Sequence, residues 1–311
     1  MGITAARESG FLVIDKPEGV TSHEAVQLVR RRLGIRKVGH LGTLDPLATG
    51  VLPMAIGKAT RLIQFLKESE KKYEGTICLG IATDTYDREG QVVAKNEVPD
   101  LTAEQLQILA TGLLGPQYQI PPAFSAKKIR GVPAYRLARR GKPVEIAPQQ
   151  IVIYQLQFFK HSASEIDFRI ECSAGTYVRS FASDFGKQLG CGAHLSRLRR
   201  ISSGEFSLSQ AIPSEAAAVA ERAFLVEQLI PAREVLKSLP GLEVDLKTKE
   251  SLVHGRTFVW ALPEGIPERP ATLCVFFEGE LIGLVEPLDE MDGEFASEVP
   301  LQKFQPRVVL V

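Results

Sequence analysis

Ile151–Phe159 and Ile166–Cys172 alternate apolar with polar residues, and in a strand successive side chains point to opposite faces. The two segments are therefore predicted to be half-buried antiparallel strands. Elsewhere the apolar residues follow helical spacing. Phe181, Phe185 and Leu189 recur up to Gly190, and Ala103–Leu114 reads as an amphipathic helix closed by Gly115-Pro116. Thr21-Ser-His-Glu24 is a capping box, in which hydroxyl and carboxylate each serve one orphan backbone N–H. The helix after it sets Ala25, Leu28, Val29 and Leu33 on one face, carries Arg30, Arg31 and Arg32 near its end, and stops at Gly34.

Shorter elements fill the rest. Phe11–Ile14 is a buried strand stopped by Lys16-Pro17 and Gly19. Tyr73–Ile81 and Gln91–Ala94 are strands around an acidic loop, Thr83–Asp87. A helix is expected from Ser214 to about Leu229. Pro231 and Leu239-Pro-Gly241 mark a boundary. Beyond it Phe258–Ala261, Leu273–Phe277, Leu281–Val285 and Val308–Val311, with Glu278-Gly-Glu280 as a turn, look like a small β-barrel module.

At 311 residues the chain is about twice a typical single domain, so two domains are expected. A chain this long buries roughly three quarters of its unfolded surface and needs no disulfide or metal staple. No apolar run approaches the ~18 residues of a membrane span, and Met1–Gly10, with Arg7 and Glu8, has no signal-peptide core. Four cysteines in a chain of this size point to a reducing, cytoplasmic setting. Lys+Arg and Asp+Glu both number 37, but the zero sum hides an uneven distribution. Residues 121–142 hold seven cations and no acid; residues 271–300 hold eight acids and no Lys or Arg.

Several chemistries are excluded by spacing. Gly50 to Thr60 imitates a phosphate loop, but six residues separate Gly50 from Gly57 and Ala59 stands where a hydroxyl is needed. Cys191-x-x-His194 is half a zinc site without its second half. No nucleophile elbow and no dinucleotide fingerprint is present, so neither metal nor nucleotide cofactor is expected. The densest segment is Gly39-His-Leu-Gly-Thr-Leu-Asp-Pro-Leu-Ala-Thr-Gly50. On physical grounds alone it reads as a helix start, with Asp45 as N-cap and Pro46 at the first helical position.

That segment also resembles the catalytic segment of the bacterial tRNA pseudouridine-55 synthases of the TruB family. Asp15-Lys-Pro-Glu-Gly-Val-Thr-Ser22, Lys72-Tyr73, Gly80 to Gly90, and Pro121-Pro-Ala-Phe-Ser-Ala126 fall in the family's order. So do Gly131 with Ala134-Tyr135, Ala138-Arg139, Gly175-Thr-Tyr-Val-Arg-Ser180, and Leu198-Arg-Arg200 with Gly204 and Phe206. The resemblance covers about residues 10 to 210, and the last part is similar to the family's small RNA-binding PUA-type barrel.

The resemblance implies an α+β fold: a mixed, mostly antiparallel sheet with flanking helices, then a small C-terminal PUA-like β-barrel. The implied division is a catalytic domain over 1–237, with a thumb-like basic insertion at about 121–148, and a PUA-like domain over 238–311. The implied activity is isomerisation of uridine to pseudouridine at position 55 in the T-loop of tRNA, by base flipping and a nucleophilic carboxylate. Asp45 matches that carboxylate and Arg179 its ion-pair partner. Without the match, Arg179 reads as a surface residue ending a strand. Tyr73 matches the aromatic that packs on the target base, Tyr177 a second active-site tyrosine, and Leu198 an apolar wall of the pocket. His40 matches the residue that fills the space the base vacates. Lys127, Lys128, Arg130, Arg139 and Arg140, in the thumb, are candidates for the RNA backbone. No cofactor, no membrane and no protein partner is implied; the partner is tRNA, through its T-loop and T-stem, and a monomer is expected. The acidic 271–300 stretch is a departure for an RNA-binding barrel. Pseudouridylation of another structured RNA, and a non-catalytic RNA-binding or RNA-folding protein, stay open at this point.

Overall fold

The structure, a computed structural model, describes residues 8–125, 127–129, 131–138, 140, 145–261, 271–288 and 301–311. The chain begins β1 (Gly10–Lys16), α1 (Ser22–Leu33), β2 (Val38–His40), β3 (Thr49–Ile56), α2 (Ile63–Leu66) and β4 (Lys71–Leu79). Next come β5 (Ile81–Thr83), β6 (Val92–Lys95), α3 (Ala103–Gly112), β7 (Gly115–Gln119), β8 (Lys128–Ile129), β9 (Val132–Pro133) and α4 (Ala134–Ala138). Then follow β10 (Gln149–Lys160), β11 (Glu165–Cys172), α5 (Val178–Gln188), β12 (Ala193–Ser203), β13 (Phe206–Ser207) and β14 (Ala211–Pro213). The last part holds α6 (Ser214–Val219), α7 (Arg222–Glu227), α8 (Ala232–Val235), β15 (Gly241–Glu243), α9 (Leu246–Val253), β16 (Phe258–Ala261), β17 (Leu273–Phe277), β18 (Glu280–Pro287) and β19 (Leu301–Val309).

Ten strands form one sheet in the order β14-β1-β3-β12-β4-β11-β10-β7, with β13 on β12 and β2 on β3. Only β1–β14 and β3–β12 run parallel, so the sheet is mixed and mostly antiparallel, as expected. The alternation in β10 and β11 turns Ile153, Leu156 and Phe158, and Ile166, Phe168 and Ile170, into the core. There they meet Phe181 and Phe185 of α5, with the Phe158 and Phe185 rings stacked at 4.7 Å. Val26, Val29 and Leu33 of α1 bury in the same cluster, against the face of β1 and β3 that carries Leu12, Ile14, Leu52 and Met54.

The opposite face of β1 and β3 presents Phe11, Val13, Val51 and Ala55. It packs with Phe206 and Val235 and with Cys274, Leu284 and Val308 from a second sheet, ordered β15-β17-β18-β19-β16. That sheet has a core of its own around Leu242, Leu252, Phe258, Leu273 and Phe304. Its β17–β18 hairpin turns through Glu278 and Gly279, both at positive φ, as a two-residue hairpin of type I′ requires. Among the described residues no helix is long and apolar enough to cross a membrane.

The chain departs from the sequence reading at two places. The helix expected from Ser214 to Leu229 is broken into α6 and α7, because Ala220 and Glu221 are extended. The end of α1 explains the break: Arg32 donates two hydrogen bonds to the Ala220 carbonyl, and Arg222 Nε donates to Leu33 O at 2.9 Å. The segment Pro46–Gly50 is not helical either. Ala48 N donates to Asp45 O at 3.0 Å in a single turn, and the chain enters β3 at Thr49. Gly50 decides this: at φ +101° it lies against β12, where a Cβ would fall 2.3 Å from the Arg200 carbonyl oxygen. Sheet pairing thus overrides the Asp-Pro helix signal.

Candidate active site

The turn that carries Asp45 is held by the segment between β1 and α1. Ser22 Oγ donates to Leu44 O at 3.0 Å and accepts from Leu44 N at 2.8 Å. Gly19 N donates to Pro46 O at 2.9 Å. Lys16, wholly buried, donates from Nζ to Pro17 O and Val20 O, both at 2.7 Å, and to Pro46 O at 3.3 Å. Burial pushes its ammonium pKa down to about 8, against the pull of the Asp45 and Glu18 charges. The backbone on both sides of Asp45 is therefore fixed by side chains 22 and 30 residues earlier.

Arg179 comes from the other direction, in the first turn of α5. A cation there opposes the helix dipole, and two carboxylates answer it. Arg179 Nε donates to Asp45 Oδ2 at 2.8 Å and Nη2 to Asp45 Oδ1 at 3.1 Å, a two-pronged contact that fixes the carboxylate plane. Nη1 lies 3.4 Å from Asp87 Oδ2, and the remaining donors reach Thr85 O and Phe124 O, each at 3.0 Å. Asp87 is in turn held by Thr85 Oγ1 at 2.6 Å and Glu89 N at 3.1 Å. The Arg179 side chain is 5% exposed and that of Asp45 37%. The cation is locked in protein while the carboxylate opens outward, so Arg179 is not the surface residue that its sequence position alone suggests.

Asp45 opens into a cavity of about 670 Å³ whose wall includes Tyr73, Tyr177, Arg179 and Leu198. Tyr73 and Leu198 are buried residues of neighbouring strands β4 and β12. Burial raises the Tyr73 phenol pKa, although the nearby Arg200 guanidinium pulls it back, so the hydroxyl keeps its proton at neutral pH. Tyr177 caps α5; Gln119 donates to its carbonyl at 3.0 Å and accepts from its N–H at 2.8 Å. Its phenol is likewise raised by burial.

Other sequence candidates fall differently. Lys127 reaches the cavity wall and donates to Gln149 Oε1 at 3.0 Å. His40, at the end of β2, is not among the residues that line the cavity; its Nδ1 is buried without a hydrogen-bond partner, and burial lowers its pKa. Arg140 is exposed after α4, away from the cavity wall. Lys128 contributes its backbone to β8, and Arg130 and Arg139 lie outside the described residues.

Asp87, Lys71 and Arg200 are the site residues that sequence reasoning passed over. The acidic loop Thr83–Asp87 was visible as a loop, but nothing local to it points at Arg179. Lys71 and Arg200 line the cavity from β4 and β12, and they read as ordinary strand cations until their burial is known.

Comparison with known proteins matches this arrangement to a family. A family model described as TruB family pseudouridylate synthase (N terminal domain) matches residues 30–178, so Asp45, Tyr73 and Tyr177 fall within it. A second, described as tRNA pseudouridylate synthase B C-terminal domain, matches residues 179–237 and begins at Arg179. The tRNA pseudouridine synthase B of Solibacter usitatus is 44% identical over 278 residues, covering 89% of this chain and 95% of that protein. That of Opitutus terrae is 42% identical over 232 residues, covering 75% and 96%. Among solved structures, the archaeal box H/ACA sRNP Nop10-Cbf5 complex contains a chain with TM-score 0.71 and 22% identity, covering 100% of this chain and 89% of that one. That likeness extends the shared fold through the second sheet. With the carboxylate, its arginine and both tyrosines inside matched segments, and with the Solibacter relative aligned over nearly its whole length, the chain belongs to the TruB family of pseudouridylate synthases.

Proposed function

We propose that this protein isomerises uridine to pseudouridine in tRNA, at position 55 of the T-loop, with Asp45 as the nucleophile. The observation that carries the reading is the Asp45–Arg179 contact. It is a carboxylate held in one orientation by two hydrogen bonds from a guanidinium, at the wall of a cavity large enough for a flipped nucleotide. The curated relatives bear the name tRNA pseudouridine synthase B, which supports tRNA as the substrate.

In this reading the Asp45 carboxylate attacks the flipped nucleotide. The N1–C1′ bond breaks with its electron pair left on the base, the base turns, C5 bonds to C1′, and the bond to Asp45 breaks so that the free carboxylate is restored. C5 gives up its proton and N1 takes one, so the product has the atoms of the substrate. Arg179 fixes the carboxylate and balances its charge, leaving one oxygen edge free to approach the ribose or the base. Tyr73 and Leu198 wall the base, Tyr177 closes the pocket from α5, and His40 fills the gap left in the RNA stack. Flipping costs a few kcal/mol, and stacking on a ring such as Tyr73 returns about 1–3 kcal/mol. Lys127, Lys128, Arg130, Arg139 and Arg140 supply phosphate contacts from the thumb. The protein acts as a cytoplasmic monomer, with a catalytic domain over 1–237 and an RNA-binding PUA-like domain over 238–311; the separate core around Leu242, Leu273 and Phe304 supports that division.

The test is incubation of the full-length protein with an unmodified tRNA transcript, followed by mapping of pseudouridine at single-nucleotide resolution. Pseudouridine at position 55, abolished when that uridine is replaced by cytidine, is the expected result. Modification elsewhere in the tRNA, or none, overturns the assignment.

A further inference from the structure

Two buried cations line the same cavity beside Tyr73, on whose phenol Arg200 already acts. Lys71 is 6% exposed and Arg200 1%. Lys71 Nζ donates to Lys67 O at 2.7 Å and to Ser69 O. Arg200 Nε donates to Val51 O at 2.7 Å, and Nη2 to Gly42 O at 3.1 Å. All these acceptors are backbone carbonyls. Among the described residues neither cation forms an ion pair with a carboxylate, whereas Arg179 in the same wall faces two. A buried charge without a counter-charge is costly, because carbonyl dipoles replace only part of its hydration. Two such charges leave this end of the cavity electropositive before any substrate enters.

Their placement relative to Tyr73 is specific. Lys71 and Tyr73 stand two residues apart on β4 and so point to the same face. Arg200 is the cross-strand partner of Tyr73 on β12. The two cations thus flank the ring against which the target base packs in the proposed function, on which this inference rests. When N1–C1′ breaks, the base carries the electron pair as a uracil anion spread over N1, O2 and O4. If attack occurs at C6 first, the charge passes instead to O4 of the resulting enolate. In both routes a neutral base becomes anionic for part of the reaction, and fixed cations in a water-poor site stabilise such charge without reorganising.

We propose that Lys71 and Arg200 form a cationic floor that stabilises the negative charge carried by uracil while it is detached from, or added to, its nucleophile. The floor is aimed at the base and not at the RNA backbone, since ammonium and guanidinium this deeply buried cannot reach a phosphate outside the cavity. It favours the transition state over bound substrate, so it contributes to rate and little to affinity.

Lys71 also offers a titration. Burial, and then the Arg200 charge, bring its pKa down to about 8. The groups facing it are Arg200 on β12, Glu68 on the loop before β4 and Cys172 on β11. Glu68 is an exposed carboxylate paired with Lys67 at 3.7 Å. Cys172 is pushed up to about 11 and is neutral near pH 8. Lys16 is also brought down to about 8, but it lies behind the Asp45 turn and off the cavity wall; on the wall itself the loss of charge near this pH belongs to Lys71, whose contribution is present below its pKa and lost above it.

The experiment measures single-turnover pseudouridine formation at saturating tRNA between pH 6.5 and 9, with tRNA affinity measured in parallel. The proteins are the parent, Lys71→Met and Lys71→Arg, with Asp45→Asn as the inactive control. Lys71→Met is expected to lower the rate at pH 7 by at least about tenfold, equivalent to ~1.4 kcal/mol, with affinity within about twofold of the parent. The parent should show an alkaline decline with a midpoint at or above about 8, and Lys71→Met should not. Lys71→Arg keeps a charge that does not titrate, so it should retain more rate than Lys71→Met and lose the decline. Equal rates for parent and Lys71→Met, or the parent's decline persisting in Lys71→Met, overturn the inference. If Lys71→Met does not fold, an unchanged alkaline decline in Lys71→Arg, or its absence in the parent, overturns it equally. A parent that makes no pseudouridine overturns the function and this inference together. An active parent with an inactive Asp45→Asn leaves any failure to the inference alone.

Discussion

Arg179 grips both carboxylate oxygens of Asp45 across a sequence separation of 134 residues. One residue sits in a turn before β3 and the other in the first turn of α5. The pair is half-buried by design: the guanidinium is enclosed and the carboxylate faces the cavity.

Asp45→Asn keeps the shape of that side chain and removes its charge. Turnover should vanish while tRNA affinity changes little, because affinity rests on phosphates and stacking. Pseudouridine formed by verified Asp45→Asn protein, at more than a trace of the parent rate, would show that another group does the chemistry.

Arg179→Lys should not be conservative. A planar fork holds the carboxylate at two points and still reaches Thr85 O and Phe124 O, whereas an ammonium is one point charge. The single-turnover rate is expected to fall by at least about tenfold, ~1.4 kcal/mol. Unchanged turnover in the lysine variant would remove Arg179 from the positioning of Asp45.

Ser22→Ala tests the support behind Asp45. The substitution strips both the N–H and the carbonyl of buried Leu44 of their side-chain partner. A buried polar group left unpaired costs about 1–3 kcal/mol, and here the cost falls next to Asp45. Urea denaturation should show a loss in that range, and the turnover number should drop more than the affinity for tRNA. A variant as stable and as active as the parent would mean that water or another group takes over the Leu44 contacts.

Arg139→Ala with Arg140→Ala tests the thumb as a phosphate clamp. Each lost phosphate contact should reduce the slope of log affinity against log salt by about 0.7 to 0.9. The single-turnover rate at saturating tRNA should hardly move, since Arg140 stands away from the cavity wall. A salt titration with the parent slope intact would place the electrostatic grip elsewhere on the protein.

What could be read in the sequence is what depends on residues close to one another along it. The alternation in Ile151–Phe159 and Ile166–Cys172 became β10 and β11 because strand sidedness is a property of consecutive residues. The Thr21–Glu24 box capped α1 and Gly34 ended it in the left-handed conformation, since both are settled within one turn of chain. The motif resemblance named Asp45, Tyr73, Tyr177, Arg179 and Leu198, and all five meet at one cavity.

The tertiary structure decided what depends on strand order, which does not follow chain order. The turn at Asp45 gave up its helix signal because Gly50 must lie against Arg200 of β12, a contact that no local propensity encodes. Asp87 joined Arg179, and Lys71 and Arg200 became buried cations, because β12 enters the sheet between β3 and β4. His40 stayed off the cavity wall because its strand pairs with β3 at Met54–Ile56, beyond the Thr49–Gly50 stretch that pairs with β12. The sequence by itself determined the local elements and the motif that holds Asp45; packing decided which side chains face one another and at what cost in lost hydration, because charge and burial act through space and not along the chain.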